Sequence, residues 1–150
     1  MLSPAAEQKG IRLSCETRPG VGSVFMDETR IAQVIRNLLS NALKFTAQGG
    51  AVSVVVEPVE ANPGKVQIAV SDTGRGIAPD HLNRIFDRLY QVRGEDDSSR
   101  MGLGLGLFIC NELVQFHQGS LRVESVVGKG STFYVTLPVV QTNDSTFFTI

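Results

Sequence analysis

Hydrophobic positions along this chain change period several times, and each change marks an element. Residues 11–15 alternate apolar and polar side chains and predict a strand, with a turn over 19–22. Ile31, Val34, Ile35, Leu38, Leu39, Ala42 and Phe45 recur at helical spacing. They predict a helix over 27–45, with Asp27 as N-cap, one broad face in the core and Gly49-Gly50 closing it. Residues 51–56 and 66–70 read as two strands separated by a loop over 58–64. Pro79 opens a short helix through Ile85. Leu105, Phe108, Ile109, Leu113 and Phe116 mark a further amphipathic helix, stopped by Gly119. Residues 121–126 and 132–137 alternate again, and Gly128-Lys129-Gly130 joins them as a hairpin.

This order predicts an α/β (α+β) two-layer sandwich, a mixed sheet of about five strands covered on one face by about three helices. The domain is expected over 11–138, with residues 1–10 as the exit from a preceding segment and 139–150 as a tail. A chain of 150 residues, 42% of them hydrophobic, suffices for one real core. Fourteen basic against 15 acidic side chains, net charge −1, argue against a general nucleic-acid binder. Cys15 and Cys110 each lie in an apolar stretch and are expected as buried free thiols. No apolar run is long enough to cross a bilayer, so a cytoplasmic module without direct membrane contact is expected. An anchor elsewhere in a longer parent is compatible with that.

Candidate chemistry lies at four places. Asn37, Asn41 and Lys44 fall at i, i+4 and i+7, one polar stripe on the long helix. An amide oxygen from Asn41 suits a hard cation such as Mg²⁺, and the Lys44 ammonium suits a phosphate. The same stripe fits a solvated helix face. Asp72 ends a strand and is followed by Gly74 and Gly76. Its carboxylate could accept from an exocyclic amine while the glycines let backbone approach a flat ring, though an Asp-Gly turn has the same pattern. Gly102, Gly104 and Gly106 precede a helix, where backbone N–H groups can close on phosphate or form a hinge. The polar stretch from Phe86 to Gly102 lacks periodicity and reads as a lid or binding loop. Gly128 and Gly130 read first as a hairpin turn. His81 and His117 stand apart from one another and make no zinc cluster with cysteine.

Five segments then resemble one family. NLLSNALKFT is similar to an N-box, DTGRGI to a first glycine box, IFDRLYQV to an F-box, and GLGLGLFIC and GKGSTF to the second and third glycine boxes. Running in that order from about Asp27 to Leu137, they resemble the ATP-binding catalytic domain of two-component sensor histidine kinases, with the Bergerat fold. The resemblance implies ATP and Mg²⁺ as cofactors, Asn41 on the metal, and Asn37 and Lys44 on the phosphates as the catalytic pair. It implies Asp72 on the adenine amine, with Gly74, Gly76 and Ile77 shaping that end. It also implies a lid over 86–102 and nucleotide contacts from Tyr90, Arg100, Gly102, Leu103, Gly104, Leu105, Gly106 and Thr132. Two positions depart from the family pattern. Leu89 replaces a common phenylalanine, which implies looser packing, and Gln91 replaces an arginine, a role that Arg93 or Arg100 could take.

Relatives that hydrolyse ATP or phosphorylate serine typically keep a glutamate four residues before the metal-binding asparagine. Here that position is Asn37, which takes up no proton near neutrality. A neutral imidazole already has a free lone pair, so transfer to histidine is expected over hydrolysis. The acceptor is expected on a separate dimerisation domain of a homodimeric parent, with a response regulator receiver domain as the indirect partner and the isolated domain monomeric. An ATPase, a serine kinase acting on anti-sigma-factor antagonists, and a non-catalytic nucleotide-sensing module are the alternatives.

Overall fold

The computed structural model describes residues 3–92 and 105–140. Its elements run α1 (Ser3–Lys9), β1 (Arg12–Thr17), α2 (Glu28–Phe45), β2 (Ala51–Val59), β3 (Asn62–Asp72), α3 (Pro79–Leu82), α4 (Gly106–Phe116), β4 (Ser120–Val126) and β5 (Gly130–Pro138). The five strands form one sheet in the order β1-β2-β3-β5-β4. β1 pairs parallel with β2, and the remaining pairs are antiparallel. α2 and α4 pack on one face, giving the mixed two-layer sandwich that the periodicity predicts.

α2 begins where Asp27 Oδ1 accepts the Arg30 N–H at 3.1 Å, an N-cap bond. It buries Ile31, Val34, Leu38, Ala42 and Leu43. Its end is tied down twice. Thr46 Oγ1 donates to the Ala42 carbonyl at 2.6 Å, and Lys9 Nζ reaches the Leu43 and Lys44 carbonyls at 2.7 and 3.0 Å. A cation on those last carbonyls satisfies acceptors that the helix leaves open. α1 thus packs against the domain, with Ala6 in the core.

Four expectations are corrected. β2 and β3 extend through the expected 58–64 loop, with a register shift between Pro58 and Val59. Pro58 is tolerated there because β1 ends opposite Val56, so that edge of β2 is free and a missing N–H breaks no ladder bond on it. α4 turns a different face inward. Cys110 and Val114 are buried with Leu107 and Leu113 packed beside them, while Phe116 is 84% exposed. The helix is apolar on two sides, and the small Cys110 lets it come close to α2, with Sγ 3.8 Å from the Val34 carbonyl. Phe45, expected in the core, is 38% exposed. Cys15 is exposed on the edge strand β1, whereas Cys110 is buried as expected.

Candidate functional site

Asn37, Asn41 and Lys44 all lie on α2, the first two half-buried and Lys44 exposed. Asn37 Nδ2 donates to Cys110 Sγ on α4 at 3.6 Å, which brings the stripe against the helix that Gly106 opens. Burial pushes the Cys110 thiol up, so it stays protonated. Leu105 sits at the N-cap position of α4 without a side-chain capping bond. Among the described residues, the first N–H groups of that helix therefore lack the usual N-cap side-chain acceptor, which suits an anion.

Asp72 ends β3, opposite Ser131 of β5 and Val52 of β2. Its Oδ1 accepts the Gly74 N–H at 2.8 Å. Burial raises its carboxyl above the ordinary 3.8, while N–H groups of Gly74 and Ser131 pull it back down. A half-buried carboxylate oriented by the Gly74 N–H suits an amine ligand.

The loop from Asp72 to Ile77 is pressed between two parts of the fold. A Cβ on Gly74 would stand 2.5 Å from the Phe45 carbonyl oxygen, and one on Gly76, at φ +72°, 2.2 Å from that of Val126. Only glycine fits either place. Gly128 N–H donates to the Arg75 carbonyl at 2.8 Å, and Ile77 N–H to Ser125 Oγ at 2.7 Å. The hairpin glycines are therefore braces for the Asp72 loop as well as a turn. On the other side, Arg75 lies 4.4 Å over the Phe45 ring and Lys44 lies 5.2 Å from it. This joins the far end of the stripe to the glycine loop.

Thr132 and Tyr90 sit differently. Thr132 pairs with Ser71, hydroxyl to hydroxyl at 2.9 Å, and strand alternation puts both on the sheet face opposite Asp72. Ser131, one residue earlier, occupies the Asp72 side. Tyr90 Oη bonds His81 Nδ1, and the Arg84 guanidinium lies 4.5 Å over its ring. Phe86 packs edge-on against Phe133, whereas Leu89 is exposed at φ +64°. Arg93, Arg100, Gly102, Leu103 and Gly104 lie outside the described residues. Among those described, no cluster of three His, Cys, Asp or Glu gathers. The Asn41 amide, with phosphate and water completing the shell, fits Mg²⁺ as a hard cation.

The family model described as histidine kinase-, DNA gyrase B-, and HSP90-like ATPase matches residues 26–141. The chain belongs to this ATPase family. Among relatives of the ATPase domain, the adaptive-response sensory kinase SasA of Synechococcus elongatus is 44% identical over 117 residues, covering 78% of this chain and 29% of SasA. Sensor protein SrrB of Staphylococcus aureus is 40% identical over 112 residues, covering 75% of this chain and 19% of SrrB. The chain therefore spans less than a third of either curated relative. Full-length ShkA, solved with AMPPNP, superposes with a TM-score of 0.78 at 33% identity, over 91% of this chain and 27% of ShkA. The mycobacterial sensor histidine kinase MprB gives 0.75 at 27% identity, over 91% of this chain and 88% of that structure. No helix among the described residues is long and apolar enough to cross a membrane.

Sequence reasoning missed Ser125, Ser131, Phe45 and Lys9. Ser131 was within reach, since the register of β3 and β5 follows once Asp72 and the hairpin are aligned. Lys9 carried no signal, because its partners are backbone carbonyls 34 and 35 residues away.

Proposed function

We propose that this domain binds Mg-ATP and transfers the γ-phosphoryl group to a histidine on a separate dimerisation domain, as the catalytic module of a two-component kinase. Asp72 accepts from the adenine amine, between the backbone of Gly74 and Gly76. Lys44 and the start of α4, at Leu105 and Gly106, neutralise the phosphates. Asn41 offers an oxygen to Mg²⁺, which when bound offsets phosphate charge. The acceptor imidazole forms a P–N bond to the γ-phosphorus while the bond to the bridging oxygen breaks and ADP leaves. Such transfer asks the protein for positioning and charge stabilisation rather than covalent chemistry.

One observation carries the choice of reaction. Asn37, an amide whose nitrogen donates to Cys110, stands one helical turn before Asn41, the position where the family resemblance implies a glutamate in hydrolysing relatives. It supplies no base for water or a serine hydroxyl. Residues 1–10 are read as the connection to the dimerisation domain, and the receiver domain of a response regulator as the downstream partner in a cytoplasmic setting.

The test gives the chain γ-labelled ATP, Mg²⁺ and a histidine-bearing dimerisation domain from a relative. Label moving to that domain is the predicted result. Label released as free phosphate with none on protein marks an ATPase, and binding without either marks a nucleotide-sensing module.

A further inference from the structure

Asp72 on β3, Ser131 on β5 and Ser125 on β4 lie side by side in one row across three adjacent strands. Directly opposed residues share a face of the sheet, so all three side chains point to the helix-covered side. Ser125 belongs to none of the segments that carry the family resemblance. Its hydroxyl nevertheless has three partners. Oγ accepts the Ile77 N–H at 2.7 Å, donates to the Gly130 carbonyl at 3.0 Å and lies 2.8 Å from Ser131 Oγ. A hydroxyl has one proton and two lone pairs. With the proton on Gly130 and bonds accepted from Ile77 and Ser131, that capacity is filled.

We infer that Ser125 is a positioning residue for base recognition, fixing the Ile77 side of the adenine pocket relative to Asp72. This rests on the adenine role proposed for Asp72. Asp72 is fixed by its place in β3, paired opposite Ser131 of β5, and by the Gly74 N–H. The chain then leaves β3 and must return at a defined height to form the opposite wall at Ile77. Gly76 touches the Val126 backbone without any polar bond of its own to it, and Gly128 holds Arg75 from the hairpin tip. The Ser125–Ile77 bond is the side-chain tie that sets the exit of the loop. It joins that exit to Ser131, the residue directly opposite Asp72 on β5, whose hydroxyl lies 2.8 Å from that of Ser125.

Removing the hydroxyl leaves the Ile77 N–H without its acceptor and lets that wall move away from Asp72. Among the described residues, none on α2 or α4 bonds Ser125. The loss is therefore specific to the base.

Calorimetry on the full chain with Mg-ATP and with Mg-inosine triphosphate, which presents a carbonyl in place of the amine, makes the comparison. The wild-type chain should prefer ATP. Ser125→Ala should lower ATP affinity about tenfold and leave the inosine nucleotide within about twofold, whereas Ser125→Thr, which keeps the hydroxyl, should restore the preference. If Ser125→Ala does not fold, Ser125→Cys places a poor acceptor in similar volume and serves in its place. Unchanged ATP affinity overturns the inference, and so does an equal loss for both nucleotides, which marks a structural role only. A wild-type chain that binds both nucleotides alike would instead remove the adenine role of Asp72 itself.

Discussion

Asp72 Oδ1 lies 2.8 Å from the Gly74 backbone nitrogen, so the carboxylate is fixed by the very loop that follows it. Burial still dominates and holds its carboxyl above the ordinary 3.8. The folded chain binds that proton more tightly than the unfolded chain. The group's contribution to stability is therefore present below pH 3.8 and is lost as pH rises through the raised value. Asp72→Asn keeps an oxygen for Gly74 and removes the buried charge, so at neutral pH it should melt no lower than wild type. Its ATP affinity should fall about tenfold to a hundredfold, the range for a hydrogen bond to a charged group. Inosine triphosphate should lose less.

The same carboxylate sets a pH dependence. As pH falls through the raised value, wild-type ATP affinity should decline, because the charged acceptor disappears, while the Asp72→Asn chain shows no such step. Titrations at several pH values check this. Parallel profiles for the two proteins would contradict the adenine role.

Asn41→Ala removes the amide oxygen offered to Mg²⁺. Phosphotransfer should fall about a hundredfold, the scale for losing one preorganised electrostatic partner. ATP binding without Mg²⁺ should change little. Rates and affinities measured across a magnesium series separate the two effects.

Gly128 and Gly130 share one hairpin but should differ in tolerance. Alanine at Gly128 meets no atom within 4 Å and suffers only from φ +81°, a cost of about 1–2 kcal/mol. At Gly130 the new methyl would stand 1.9 Å from the Asp72 carbonyl oxygen. Gly130→Ala should destabilise by about 3 kcal/mol or more and displace Asp72, so ATP affinity falls as well. Denaturant melts and calorimetry on both variants check the contrast.

His117 has a structural task. Its Nε2 accepts the Asp27 N–H at 3.0 Å and its Nδ1–H donates to the Leu113 carbonyl at 2.7 Å, buckling the start of α2 to the end of α4. His117→Ala should cost about 1 kcal/mol of stability and leave phosphotransfer per folded molecule unchanged. A loss of transfer without a loss of stability would assign it chemistry.

Much of this was legible in the sequence because local signals agreed with the fold. Asp27 caps the helix it was expected to cap, and strand alternation around Val54, Val70 and Val135 marks buried positions. Asn37, Asn41 and Lys44 share a face because helical spacing dictates it. What failed depended on neighbours in space. α4 is apolar on two sides, so its phase was decided by how closely Cys110 could approach Val34. Pro58 stayed in a strand because β1 ends early beside it. Thr132 and Ser131 differ by one residue, yet register puts them on opposite faces of the sheet.

The most direct measurement is the chemical stability of the phosphoprotein formed when the chain, Mg-ATP and a histidine-bearing dimerisation domain are combined. With Asn37 providing no base, label should enter the dimerisation domain, be lost in acid and survive alkali, as a P–N bond on imidazole does. An acid-stable label would place the phosphoryl group on a hydroxyl and contradict the account.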